Sequence, residues 1–236
     1  MDKEKKMRKF AVIGLGQFGT VVAQSLIERG AEVIAVDIDA KLVDKFKEIA
    51  GIAVKLDSTD EEALKSQGIE QVDVAIVSIG DFETSVLTTA LLKQLGISTV
   101  ITVVTRALPN PGSSQIQKRI LELVGANRII FPKVEIGKKL AQNLLMSNVL
   151  DYVPISEKYS AAEIRLPKPF WNKTIGELKI RQKYKVNILG IKKTSGEGKE
   201  EKIRKINYLP QPDDVIEKGD ILLAVGEEKD IERLLK

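Results

Sequence analysis

The chain has 236 residues, 43% hydrophobic and 30% charged, a size and balance that fit two soluble globular domains. Its 37 basic and 33 acidic residues leave a net charge of +4 with both signs interleaved along the chain, so no nucleic-acid surface is expected. Cysteine and histidine are both absent, which excludes disulfides, thiolate metal sites, cysteine nucleophiles and the commonest general base.

The first nine residues are charged and lead straight into a strand, without the pattern of a signal peptide. No apolar run approaches the roughly 18 residues that span a bilayer. The expected location is the cytoplasm, with any work at a membrane done through a partner. Short apolar runs then alternate with amphipathic stretches up to about residue 148. The runs are residues 10–13, 33–36, 52–54, 74–77, 100–104 and 128–131. They are rich in Val, Ile and Ala with little polar alternation, the texture of strands buried on both faces of a parallel sheet. Helices are expected between them at residues 18–29, 41–49, 61–67, 84–95 and 115–124. Ser58 and Thr59 each precede a glutamate by three positions (Glu61, Glu62), the capping-box spacing. Such alternation predicts an α/β fold, a Rossmann-like doubly wound parallel sheet with right-handed crossovers.

Residues 107–114, ALPNPGSS, form a turn-rich connection after the fifth strand. Loops at that end of an open α/β sheet border the ligand crevice, although a plain surface turn fits the composition equally. Residues 134–147 place Ile136, Leu140, Leu144 and Leu145 on one helical stripe, so this helix is expected to leave the first domain and cross to a neighbour. Beyond it, short strands at residues 152–155, 161–166, 186–191 and 221–225 alternate with two helices. One starts at Thr174 with Glu177 in capping-box register, and the other covers residues 229–235. Residues 194–205 read as a polar hairpin tip. The expected division is a nucleotide-binding domain with its crossover helix at 1–148 and a small α+β domain at 149–236.

The segment Gly14-Leu15-Gly16-Gln17-Phe18-Gly19 is a G-x-G-x-x-G loop between a strand and a helix. Gly14 permits the turn, Gly16 lets the backbone approach a phosphate, and Gly19 lets the helix pack on the strand. The helix N-terminus, with Gln17 and Phe18 in its first turn, favours an anion. Asp37 closes the second strand at the ~20-residue spacing from which a carboxylate reaches ribose hydroxyls. Its charge repels a 2′-phosphate, and no arginine follows in Asp37-Ile38-Asp39, so NADP is disfavoured. Later strands end in Asp57-Ser58-Thr59 and Ser78-Ile79-Gly80, which are placed to line the adenine and phosphate sides. Ser58 and Thr59 fit a helix cap equally well.

An enzyme of this class needs a proton donor or acceptor. Besides the missing histidine, none of Tyr152, Tyr159, Tyr184 and Tyr208 has a lysine four residues on, and no GK[ST] motif is present. A binding protein is therefore expected rather than an enzyme.

The stretches FAVIGLGQFG, AVDID, DSTDEEAL, VSIG and GANRIIFP resemble the N-terminal RCK (KTN) domain of cytosolic regulatory subunits of Trk/Ktr-type bacterial potassium-uptake systems. The Ile175-Gly176-Glu177-Leu178 stretch, with Ile216, Gly219 and Asp220, is similar to the smaller C-terminal RCK domain. The resemblance implies a ring, usually octameric, peripheral to the membrane beneath a potassium channel subunit. Self-association and a ring that includes a second RCK subunit both fit. ATP, ADP, AMP or NAD(H) would bind at Gly14, Gly16, Gln17, Phe18, Gly19, Asp37, Ile38, Asp39, Asp57, Ser58, Thr59, Ser78, Ile79 and Gly80 and change the ring's shape. Three departures stand out. Gln17 replaces a frequent arginine that faces the terminal phosphates, removing a charge that favours a triphosphate. Lys133 stands where some members place a divalent-cation glutamate. The 107–114 loop is longer than usual, with Arg106 beside it placed to supply a phosphate contact. The alternatives are a nucleotide- or redox-sensing regulator unrelated to potassium, or an NAD-dependent dehydrogenase.

Overall fold

The computed structural model describes residues 8–50, 53–106, 112–145, 148–156, 158–195 and 202–236. The chain divides into two compact units, Met1–Glu135 and Ile136–Lys236. The division falls inside a helix, upstream of the position expected from sequence texture.

The first unit alternates β1 (Lys9–Ile13), α1 (Gln17–Ile27), β2 (Glu32–Asp37), α2 (Ala40–Ala50), β3 (Ala53–Lys55), α3 (Glu61–Ser66), β4 (Val74–Val77), α4 (Phe82–Gln94), β5 (Thr99–Val103), α5 (Ser113–Leu123) and β6 (Arg128–Ile130). Helix α6 (Pro132–Leu145) follows. All six strands are parallel, in the order β3-β2-β1-β4-β5-β6. Chain order reverses between β1 and β4, so a crevice opens at their carboxyl ends.

Period-two geometry sends alternate side chains to two cores. Ala11, Ile13, Ala75 and Val77 face one that includes Leu64, Ile69 and Leu92, whereas Val12, Ala35 and Ile76 face the other with Ala23, Val43 and Phe46. Burial on both faces explains why these strands read as continuous apolar runs.

Helix α4 departs from that pattern by burying Ser85, Thr88 and Thr89. The Thr89 hydroxyl donates to the Ser85 carbonyl at 2.6 Å, which uses its single proton. The Thr102 hydroxyl of β5, 2.9 Å away, therefore donates to Thr89.

The first-domain strands lie where the sequence pattern puts them, with residues 51–52 outside the described residues. The expected caps on α3 do not form. Asp60 takes the N-cap role, its carboxylate accepting the Ala63 N–H at 3.0 Å. Ser58 instead turns inward to pair with Thr88 at 2.8 Å, and the Thr59 hydroxyl donates to Asp57 at 2.7 Å. Asp81 caps α4 by accepting the Thr84 N–H at 2.8 Å, which starts that helix two residues earlier than expected.

The second unit contains β7 (Val149–Pro154), β8 (Tyr159–Arg165), β9 (Lys173–Thr174), α7 (Ile175–Leu178), α8 (Ile180–Tyr184), β10 (Asn187–Ser195), β11 (Lys202–Asn207), β12 (Val215–Ile216), β13 (Ile221–Glu227) and α9 (Glu228–Leu235). Five strands form an antiparallel sheet in the order β11-β10-β13-β8-β7, and β9 pairs with β12. Its core joins Ile164, Val186, Ile191, Leu222 and Ile231. The Thr174–Glu177 capping box forms as the sequence indicates. Residues 202–207, read as part of a hairpin tip, pair with β10 as a full strand. The tip itself, 196–201, lies outside the described residues. No helix of the described residues is long and apolar enough to cross a membrane.

Replacing Thr89 with valine strands the Thr102 proton in the core. Stability should fall by about 1–3 kcal/mol, and the Thr89→Val/Thr102→Val pair should recover part of that loss. Urea titrations followed by circular dichroism would check this; equal losses in the single and double variants would contradict the hydroxyl seam.

Candidate functional site

The crevice is built on the β1–α1 turn. Gly14 has φ of +99°, and a Cβ there would lie 2.4 Å from the Ser78 carbonyl oxygen, so only glycine fits. The Gly14 N–H donates to the Val36 carbonyl at 2.7 Å, and the Ser78 N–H to the Ile13 carbonyl at 2.7 Å. These bonds align the ends of β1, β2 and β4. Gly19, in the first turn of α1, sits so close to the loop that a Cβ would lie 1.8 Å from the Gly14 oxygen. Gly16 differs from both: nothing lies within 4 Å of where its Cβ would be. Its outer face is free for another molecule.

Asp37 ends β2. One carboxylate oxygen accepts the Leu15 N–H at 2.6 Å and the other the Asp39 N–H at 2.8 Å. Each oxygen keeps a lone pair for a further donor. Asp37 therefore shapes the glycine loop as well as facing the crevice.

Of the cavities lined by Gly16, two also share Ser78 and Gly80. The first, about 300 Å³, is lined by Gly14, Gly16, Asp37, Ile38, Asp57, Ser58, Ser78, Ile79 and Gly80, all marked by the sequence. Leu42, Leu56 and Thr84 join them. Asp57 accepts the Thr59 N–H at 2.9 Å and hydroxyl at 2.7 Å. These bonds, the backbone one first, hold its carboxyl below the usual carboxylate range. Asp37 and Asp57 thus make this end of the crevice acidic. It suits hydroxyl and amino donors and opposes phosphate.

The second cavity, about 480 Å³, shares Gly16, Ser78 and Gly80 with the first. Gln17, Phe18, Val21, Thr105, Pro132 and Lys133 complete its lining.

Four marked residues line neither cavity. Gly19 supports the turn from behind, Asp39 accepts the Lys41 N–H at 2.9 Å at the start of α2, and Thr59 serves Asp57. Arg106 is exposed and acts on Asp81, whose carboxyl is held low first by the Thr84 N–H and hydroxyl and then by the Arg106 charge. Arg106 lines neither cavity, and the charge it places near Asp81 lies at the start of α4. Residues 107–111 of the adjoining loop lie outside the described residues.

Leu42, Leu56, Thr84 and Thr105 carry no motif. Their common signal is position: each lies just beyond the carboxyl end of a parallel strand or in the first turns of the helix that follows. Among the described residues no group of three Asp, Glu, His or Cys side chains is placed to hold a metal ion.

Gly19→Ala forces one backbone segment off another and should cost at least about 1–3 kcal/mol. Gly16→Ala adds a methyl to open space and should leave the melting temperature within a few degrees of wild type while blocking the crevice. Thermal unfolding of both variants checks the distinction; equal destabilisation would contradict it.

The chain matches the TrkA-N domain over residues 10–132 and the TrkA-C domain over residues 161–236. It is similar to Ktr system potassium uptake protein C of Bacillus subtilis (strain 168), with 39% identity over 97% of this chain and 96% of that protein. Ktr system potassium uptake protein A of the same organism is 37% identical over 97% of this chain and 96% of its own length. The GsuK channel bound to NAD shares the fold, with a TM-score of 0.63 and 20% identity; all of this chain aligns with 40% of that one. This chain, with its glycine-loop crevice and its paired domains, belongs to the TrkA-N/TrkA-C family that includes the Ktr potassium uptake proteins.

Proposed function

We propose that this chain is the cytosolic regulatory subunit of a potassium-uptake system and that an adenine nucleotide bound over Gly16 controls it without being consumed. The observation that carries this reading is the open backbone at Gly16 between two cavities, in a chain related over nearly its full length to Ktr proteins. Ribose hydroxyls would meet the free lone pairs of Asp37. The base would lie toward Leu42, Leu56 and Ser58, and the phosphates would cross Gly16 at the α1 N-terminus. ATP, ADP, AMP and NAD(H) all satisfy that description. NADP does not, because its 2′-phosphate would face Asp37 and Asp57.

A regulatory role also needs partners. Ile136, Leu140 and Leu144 of α6 are 68%, 57% and 74% exposed and lie four residues apart on one helical face. Such an apolar stripe favours a self-associated ring beneath a membrane-embedded potassium subunit. A ligand shifts a ring only by binding one shape more tightly, and about 1–3 kcal/mol per site is typical. Equivalent sites add their bias.

Two outcomes follow. Asp37→Ala should lower affinity for ADP about ten- to a hundredfold in calorimetry. It should also reduce stability, since Leu15 and Asp39 lose their acceptor. Unchanged affinity would sink the ribose assignment. With its cognate membrane subunit in liposomes, the wild-type chain should make potassium flux depend on adenine nucleotide; a monomeric chain, or flux indifferent to every adenine nucleotide, would refute the regulatory reading.

A further inference from the structure

The crevice has opposite electrical ends. Asp37 and Asp57 are the charged residues lining the first cavity, whereas Lys133 is the charged residue lining the second. Gly16, Ser78 and Gly80 line both, so the two cavities open onto one path over the Gly16 backbone.

Three features of the second cavity favour an anion. The Ser78 side-chain oxygen is buried, in a residue only 5% exposed, and has no hydrogen-bond partner. A buried hydroxyl left unpaired costs about 1–3 kcal/mol, so its position on this path is that of a donor to a bound group. Lys133 carries its ammonium on the first turn of α6 and forms no ion pair among the described residues. The same turn presents the positive end of a 14-residue helix. Glu135, the one acid of that turn, accepts the Phe131 N–H at 3.3 Å and is not part of the cavity wall.

We propose that the second cavity holds the outer phosphate of a nucleoside triphosphate, neutralised by the Lys133 ammonium, so that this chain binds ATP without a divalent cation. The inference rests on the nucleotide reading of the crevice and adds to it the direction of the polyphosphate and the source of its counter-charge. Gln17 is neutral at the loop, and Lys133 supplies the charge from across the cavity. A magnesium ion bound to the same phosphates would compete with the ammonium for them. A second nucleoside, as in NAD, would instead place a nicotinamide ring beside Lys133, cationic when oxidised and neutral when reduced, and so offer its ammonium no anion.

Calorimetry on the purified full chain tests this with ATP, AMP and NAD, in EDTA and in excess magnesium. Wild type should bind ATP in EDTA at least as tightly as with magnesium. Lys133→Ala should weaken ATP about tenfold or more in EDTA while changing AMP and NAD by less than about threefold. Lys133→Glu places a carboxylate opposite the polyphosphate, so its ATP binding should require magnesium. Lys133 is exposed, so circular dichroism should confirm that both variants stay folded. Wild-type ATP binding that collapses in EDTA, or equal effects of Lys133→Ala on ATP, AMP and NAD, would overturn the outer-phosphate site while leaving nucleotide binding intact. Failure of all three ligands to bind wild type would remove the nucleotide reading and this inference with it.

Discussion

The Asp37 carboxylate meets the Leu15 amide at 2.6 Å, and the crevice is organised around that bond. It joins the end of β2 to the turn leaving β1, and charge-assisted bonds of this kind are worth about 1.5–3 kcal/mol. With Leu15 fixed, Gly14 must take a left-handed conformation against Ser78, and Gly19 must lie against the Gly14 carbonyl. Two glycines are thus consumed by packing, and the third, Gly16, is left with its face open. The acid that orders the loop is also an acid that lines the first cavity. Building the fold and building the ligand site are the same operation at this residue.

The surroundings give the crevice direction. Carboxylates gather where β2 and β3 end, and the lysine sits at the start of α6, beyond β6. A nucleotide is acidic at one end and rich in hydroxyl and amino donors at the other, so on the proposed function this charge separation would favour one orientation. Ser58 ties the first cavity to the buried face of α4 through Thr88, and Thr89 ties the same helix to β5 through Thr102. Helix α4 is thereby held by hydroxyl pairs with defined geometry where aliphatic packing would tolerate sliding.

Much of this was legible in the residue order. The strands of the first domain announce themselves because burial on both faces demands unbroken apolar runs. The glycine loop and Asp37 announce themselves because few residue types satisfy their backbone and charge requirements. Other features depend on which of several competent side chains wins. Ser58, Thr59 and Asp60 could each cap α3; Asp60 does so, because Ser58 finds a buried partner in Thr88, thirty positions away in the chain. Lys133 stood out by residue type, but only the fold puts it on a cavity with Gly16. The pairing of Lys202–Asn207 with β10 was hidden because its charges are those of an exposed edge strand, which resembles a loop in composition.

An adenine nucleotide on the path over Gly16 would shield the backbone amides beneath it from solvent. Amide hydrogen exchange of the full chain, with and without saturating ADP, reads that shielding segment by segment. Exchange should slow in the segments carrying Leu15–Gly19, Asp37–Asp39 and Ser78–Gly80, with little change in the sheet of the second domain. Exchange unaltered in those three segments, or protection confined to residues 161–236, would contradict a nucleotide on that path.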